Sequence, residues 1–411
     1  MSNTEDESAE LAVFRAEAHD FLAAHFEPRP TVGIYGTTLG DTDPSKEAEA
    51  RHVAASREYQ HFLFENGWAG LTWPIEYGGR GLTAKHQRIW VQEEVKFQIT
   101  IGFFNVATQM VAPTIMAHGT EEQQRHFLPR ILSGEHIWCQ LYSEPGAGSD
   151  LAGLATRAER DGDEYVVNGQ KVWNSGAHFA DYGILLARTD GDVPKHRGIS
   201  YFLVDMHSPG VEVRPLKQIT GFAHFNETFL TDVRIPAANL LGGLNNGWAV
   251  ANTTLAHERT MIGGGGTGLG FKALLNLAHE CGVTGEAVMR QELARCYTRF
   301  EVLRMLGLRA RASAKKGVLG PESSVMKLAI SNRVASDGDL VLAMQGAHGM
   351  LHRDDARGRG MWQNVFLNQW SIRIGGGTEQ IQRNVLGERV LGLPGDIRVD
   401  KDKPFRDLPK N

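Results

Sequence analysis

The chain has 411 residues, with 43 Lys or Arg against 48 Asp or Glu and a formal net charge of -5. Acids and bases are intermixed along it, which argues against nucleic acid or an anionic membrane as the main partner. The length suggests roughly two or three domains, and the three cysteines, Cys139, Cys281 and Cys296, are odd in number and lack metal-ligand spacing, as expected of reduced thiols in a cytoplasmic protein.

The N-terminal run Met1-Ser2-Asn3-Thr4-Glu5-Asp6-Glu7 is acidic and polar. It lacks the basic and apolar regions of a signal peptide. No apolar run approaches the ~20 residues of a membrane helix, so membrane insertion is not expected. Leu11, Phe14, Ala18, Phe21 and Leu22 recur at helical spacing, and Pro28 and Pro30 close that segment. Residues 31–46 are rich in Gly, Thr, Asp and Pro and read as a long loop. Helical patterns resume over 47–66, 84–97 and 121–132. Between them, Gly67-Trp68-Ala69-Gly70-Leu71-Thr72-Trp73-Pro74 reads as a surface loop with buried tryptophans.

The pattern changes after about residue 135. Tyr165-Val166-Val167, Asn168-Gly169 and Gln170-Lys171-Val172-Trp173 read as a β-hairpin with a tight turn. Strand-like runs follow at 182–187, 199–204, 211–216 and 227–233. Helical patterns return near 247 and persist to about 351. No internal repeat or low-complexity tract interrupts them. The expected fold class is α+β: a helical domain over 1–136, a small β-domain of short antiparallel strands over 137–242, and a helical bundle over 243–411.

Three motifs carry chemistry. The first is Cys139-Gln140-Leu141-Tyr142-Ser143-Glu144-Pro145-Gly146-Ala147-Gly148-Ser149-Asp150, whose glycines let the backbone approach a flat or phosphorylated ligand. The second is Asn168-Gly169-Gln170-Lys171-Val172-Trp173-Asn174-Ser175-Gly176. The third is Ile374-Gly375-Gly376-Gly377-Thr378-Glu379-Gln380-Ile381-Gln382-Arg383-Asn384. In this order and spacing, over nearly the whole chain, they resemble the acyl-CoA dehydrogenase family of flavoproteins. The resemblance implies FAD as cofactor, held by Tyr142 and Ser143 at the isoalloxazine edge, by Ser149 beside the pyrophosphate and thioester, and by Trp173, Asn174 and Ser175 over the flavin. Thr378 and Gln380 would contact the adenosine half. It also implies an acyl-CoA substrate, an electron-transfer flavoprotein as electron acceptor and a tetramer.

The family's chemistry removes a proton from Cα and a hydride from Cβ of an acyl thioester, and the weakly acidic Cα needs a positioned carboxylate. Many members carry that glutamate immediately before the Gly-Thr of the third motif. Here the position is Gly376. A minority, the isovaleryl- and long-chain-type members, place it on the first long helix after the β-domain, which here means Glu258. Trp248, Ala251, Leu255 and Ile262 form an apolar stripe at helical spacing there, expected to bury against the bundle. Glu258 lies next to that stripe. The neighbouring Arg259 matches a basic residue near the thioester, and the Gly376 N–H would polarise the thioester carbonyl.

Gly375 and Gly376 leave room for a branched or bulky acyl group, or else serve only a tight turn. Two features depart from the family. Cys281-Gly282-Val283-Thr284-Gly285 lacks the arginine that reaches a neighbouring subunit's FAD, with Arg290 a substitute by proximity in sequence. Gln345-Gly346-Ala347-His348-Gly349 stands where Gln-x-x-Gly-Gly is usual. Either an ordinary homotetramer or a heterotetramer with a homologous subunit would accommodate them. A flavin oxidase or monooxygenase on the same fold, and a partner subunit of a heteromeric dehydrogenase, are the competing readings.

Overall fold

The computed structural model describes residues 8–29, 43–99, 102–264, 270–315, 322–395, 397 and 400–409. Most of the loop expected over 31–46 lies outside them. The N-terminal helices are α1 (Ala9–His25), α2 (Lys46–Glu65), α3 (Ala84–Glu94), α4 (Ala112–His118) and α5 (Glu121–Leu132). In α1, Phe14, Ala18 and Leu22 recur every fourth residue and are all buried. Side chains set several helix starts. Ser45 accepts from the Ala48 N–H before α2. At α5, Thr120 accepts from the Gln123 N–H, while the Gln123 side chain accepts from the Thr120 N–H. Trp68 and Trp73 are buried, as expected of the 67–74 segment, and Trp68 stacks on Trp90 at 4.7 Å.

The β-domain is one sheet. Its strands are β1 (Trp138–Leu141), β2 (Arg157–Asp161), β3 (Glu164–Val172), β4 (Tyr182–Arg188), β5 (Ile199–Asp205), β6 (Val211–Leu216), β7 (Phe225–Pro236) and β8 (Leu240–Leu241). They run in the order β6-β7-β3-β2-β4-β5-β8, with β1 beside β4. The sheet is mostly antiparallel, but β1 pairs with β4 in parallel and β2 touches β4 in parallel at Arg157–Arg188. The centres of β4 and β5 are buried on both faces, so they read as continuous apolar runs.

The hairpin expected at Asn168-Gly169 is not there. β3 runs straight through that dipeptide, with a register shift against β7 between Val167 and Gly169. A Cβ on Gly169 would sit 2.3 Å from Thr156 Oγ1. The glycine therefore serves a close strand approach rather than a turn. The hairpin turn lies earlier, between β2 and β3, with Gly162 at φ +63°.

The C-terminal helices are α6 (Gly247–Gly264), α7 (Phe271–Glu280), α8 (Ala287–Lys315), α9 (Glu322–Gln345), α10 (Met361–Ile374) and α11 (Glu379–Val385). Three apolar clusters result. One joins the N-terminal helices to one face of the sheet and to α6, a second covers the other face of the sheet, and a third fills the bundle of α7–α10. The stripe on α6 belongs to the first. Val250 and Ala251 are fully buried there, and Trp248 and Leu255 pack against it. It thus seals α6 to the sheet and the N-terminal helices rather than to the bundle, while the Ile262 side chain lies outside the described residues. Among the described residues no helix is long and apolar enough to cross a membrane. The cysteines are free.

Candidate active site

β1 delivers the first motif to the edge of the sheet. Glu144 then folds the Pro-Gly segment: its N–H donates to Ala147 O at 3.1 Å, and the Ala147 N–H returns to Glu144 O at 3.0 Å. The Glu144 carboxylate accepts from the N–H groups of Ala155 (2.7 Å) and Thr156 (2.9 Å) and from Lys171 Nζ (2.8 Å). Lys171 is fully buried in β3 and also donates to Tyr142 O at 3.1 Å. Burial pushes the Glu144 carboxyl up, but the Lys171 charge and the three donors hold it below the usual carboxylate range. This ion pair, with the Val172 N–H donating to Ser143 O at 2.9 Å, ties the first motif to the second.

Beyond β3 the backbone turns sharply. Trp173 sits in the left-handed region at φ +64°, which a bulky residue adopts only under constraint. The constraint is Asn174 and its neighbours. The Asn174 N–H donates to Asn226 O at 3.1 Å, Asn226 Nδ2 donates to Asn174 O at 2.8 Å, and Asn174 Nδ2 donates to Gln140 O at 2.8 Å. Trp173 is 61% exposed, and among the described residues its ring has one aromatic contact, edge-on to Phe225 at 6.1 Å. A large ring held bare by a strained backbone is what a planar ligand needs for stacking.

Glu258 reaches the same place from the opposite side. On α6 it follows Ala251 by seven residues and Thr254 by four, both fully buried, so it lies one turn further along the buried face. Thr254 Oγ1 bonds with Thr114 Oγ1 (3.0 Å) and with Tyr201 OH (3.1 Å), which locks the helix against α4 and β5. The half-buried Glu258 carboxylate then receives Gln140 Nε2 at 3.5 Å. Gln140 thus joins Glu258 to Asn174, and Asn174 is next to Trp173. Tyr142 is buried beside them, its OH close to Thr254 and Tyr201. Burial drives its phenol well above the ordinary range, and the neighbouring Tyr201 and Glu258 add to this.

Behind Glu258 lies Lys327 of α9. It is buried, and its Nζ donates to Ile372 O at 2.7 Å and Ser331 Oγ at 3.0 Å. Burial pushes its pKa down, and Glu379 and Glu258 pull it back. Ile372 is in the last turn of α10, so Lys327 also anchors the Gly-rich turn that follows. There Gly376 has φ +64° and Gly377 φ +91°. A Cβ on Gly377 would lie 2.6 Å from Gln382 Nε2, so the tight-turn reading of these glycines has a direct physical basis. Among the described residues the amides of Gly376 and Ser143 have no acceptor. Both are available to a ligand.

The structure thus gathers Glu258, Tyr142, Ser143, Trp173 and Asn174 at one locus and links Gly376 to it through Lys327. Ser149 and Ser175 are exposed nearby in sequence without direct bonds into that locus. Thr378 caps α11 by accepting from the Ile381 N–H at 3.2 Å, and Gln380 is exposed on the same helix. The Arg259 side chain lies outside the described residues. Arg290 is exposed in the first turn of α8, and Gln345 is buried with Nε2 donating to Val341 O at 2.9 Å. Sequence reasoning missed Gln140, Glu144, Lys171 and Lys327 as functional groups. Only Lys171 carried a signal, a charge within a strand of otherwise apolar inward positions.

Comparison with known proteins finds matches along most of the chain. Family models for the N-terminal, middle and C-terminal domains of acyl-CoA dehydrogenases match residues 8–135, 139–233 and 245–391. The chain is 37% identical over 388 residues to the acyl-CoA dehydrogenase IpdE1 of Mycobacterium tuberculosis, covering 94% of this chain and 98% of that protein. Among solved structures it resembles the Tcur3481-Tcur3483 steroid ACAD, with TM-score 0.79, 30% identity and coverage of 95% and 99%. It also resembles the ChsE4-ChsE5 complex from Mycobacterium tuberculosis, with TM-score 0.75, 31% identity and coverage of 96% and 100%.

Proposed function

The chain belongs to the acyl-CoA dehydrogenase family, and within it we propose that Glu258 is the base that takes the α-proton from a bulky acyl-CoA. The protein is an oxidoreductase acting on acyl-CoA, and its cofactor is FAD. The observation that carries the assignment is the Glu258 carboxylate at 3.5 Å from Gln140 Nε2, on the strand that leads into the flavin-edge motif. Bound FAD supplies the acceptor for the Cβ hydride. The chain's own groups do the rest. Ser143 offers an unused amide at the flavin edge, and the bare Trp173 indole offers a stacking face. Tyr142, Asn174, Ser149 and Ser175 complete that side, with Thr378 and Gln380 toward the adenosine. Gly376 offers its free N–H to the thioester carbonyl, where negative charge grows as the α-proton leaves. Glu258 holds that proton, away from bulk water on one side.

Glu258→Gln keeps the side-chain volume and removes the base. The variant should retain FAD and lose flavin bleaching by acyl-CoA. Bleaching at a near-parental rate would refute the assignment. Rapid reoxidation of the flavin by air, without acyl-CoA turnover in the parent, would favour an oxidase instead.

The substrate side rests on volume. A Cβ on Gly375 would meet Ser371 O at 2.9 Å, so the room comes from the bare Gly376, where a slim chain leaves a methylene-sized gap that forfeits apolar contact, on the order of 1 kcal/mol. The steroid-directed relative fits that reading. A ring-bearing or branched thioester should exceed butyryl-CoA in kcat/KM, and the reverse order would refute it. The electron acceptor is an electron-transfer flavoprotein. The bundle leaves Met350, Ile374 and Leu391 largely bare, and the ChsE4-ChsE5 relative is a complex of two named components. Both support a tetramer completed by a homologous subunit. A fully FAD-loaded, active homo-oligomer purified alone would rule out the obligate partner.

A further inference from the structure

The C-terminal tail leaves the helical bundle and returns to the β-domain. The Phe405 N–H donates to Val193 O at 2.9 Å and the Arg406 N–H to Gly191 O at 3.0 Å, while Pro404 bridges Pro194. These contacts seat the tail on the loop between β4 and β5. Two side chains carry the contact onward to the first motif. Lys195 Nζ binds Asp400 Oδ2 at 2.6 Å and Asp150 Oδ2 at 2.8 Å. Burial would lower the Lys195 pKa, but the two carboxylates raise it, so the bridge stays charged. The Phe405 ring lies 3.7 Å from the Arg188 guanidinium. Arg188 Nη2 in turn donates to Ala152 O at 2.7 Å and Leu154 O at 3.1 Å, and Nη1 donates to Lys195 O at 2.6 Å.

The segment held in this way begins one residue after Ser149, in a turn whose Gly148, Ser149 and Asp150 are exposed. Such a turn has little packing of its own to fix it. We propose that residues 400–408 form a strap that positions this turn for acyl-CoA: it fixes Asp150 through Lys195 and residues 152–154 through Arg188, and so sets Ser149 against the substrate. This rests on the reading of Ser149 as a thioester-side contact. Phe405 and Lys195 are positioning residues and touch no reacting atom.

The test uses the FAD-loaded full chain. Phe405→Ala should raise KM for acyl-CoA about fivefold to tenfold, the equivalent of losing a partly desolvated cation–π contact. At saturating substrate its kcat should stay within about twofold of the parent. Phe405→Trp keeps a ring over Arg188 and should restore the parental KM. Lys195→Met, which cuts the Asp400–Asp150 bridge, should repeat the KM rise. An unchanged KM in both Phe405→Ala and Lys195→Met overturns the proposal. So does a joint fall of kcat, FAD content and melting temperature in Phe405→Ala, which marks a purely structural strap. If the parent itself fails to bleach with any acyl-CoA, the failure lies with the functional reading rather than with the strap.

Discussion

Replacing Lys171 by Met should destabilise the β-domain by about 3 kcal/mol. Lys171 Nζ is fully buried and makes bonds of 2.8 Å to Glu144 and 3.1 Å to Tyr142 O. Met keeps most of the volume, so packing changes little. What is lost is the counter-charge of a carboxylate that is itself only 10% exposed. Removing one partner of a buried pair costs ~3–5 kcal/mol. The low end applies because the Ala155 and Thr156 amides still hold Glu144. For a unit of about 100 residues, the size of this domain, this corresponds to a fall of roughly 12–24 °C in melting temperature.

The assay is thermal melting followed by circular dichroism and flavin fluorescence in parallel. Combining Glu144→Gln with Lys171→Met should recover more than half the loss, because no charge is then stranded. The pH dependence has a definite sign. Glu144 is held below its ordinary value of 4.5, so the stabilisation is complete above that value and is lost as pH falls through the lower folded value. The gap between parent and variant should therefore close on acidification. A melting temperature within about 1 °C of the parent, or a gap that persists at low pH, would refute the reasoning.

Lys327→Met removes a positive charge that acts on Glu258. The pH at half-maximal flavin bleaching should move up while Lys327→Arg stays near the parent, and an unmoved midpoint would count against an electrostatic role for Lys327. Asp337, buried beside Cys296 and Arg333, has its carboxyl raised from 3.8 to about 6, chiefly by burial. Its folded pKa exceeds its unfolded one, so stability is full below 3.8 and falls by up to about 3 kcal/mol as pH rises through 6. Urea melts at pH 4 and pH 7 should show this decline in the parent and not in Asp337→Asn; equal slopes in the two proteins would show that Asp337 does not cause it.

The helices and the plain strands were fixed by local pattern. Periodicity placed α5 at 121–132, and Pro28 closed α1, because helix faces depend on neighbours three or four residues away. The runs at 182–187 and 199–204 became β4 and β5 with one residue added to each. The order of motifs was enough to indicate the flavoprotein family, and Glu258 was chosen because the usual position held Gly376. What local pattern could not supply was contact between residues far apart in the chain. Asn168-Gly169 has the composition of a turn, yet Thr156, just before the neighbouring strand β2, requires a residue without Cβ there, so the strand continues. The stripe on α6 was legible as apolar, but which layer would cover it was not. Gln140 meets Glu258 across 118 residues of chain, and Lys171 meets Glu144 across 27. A glutamate and a lysine look like surface residues in sequence. Burial among distant residues turns Glu144 and Lys171 into the anchor of the flavin-edge turn and sets Lys327 behind the candidate base.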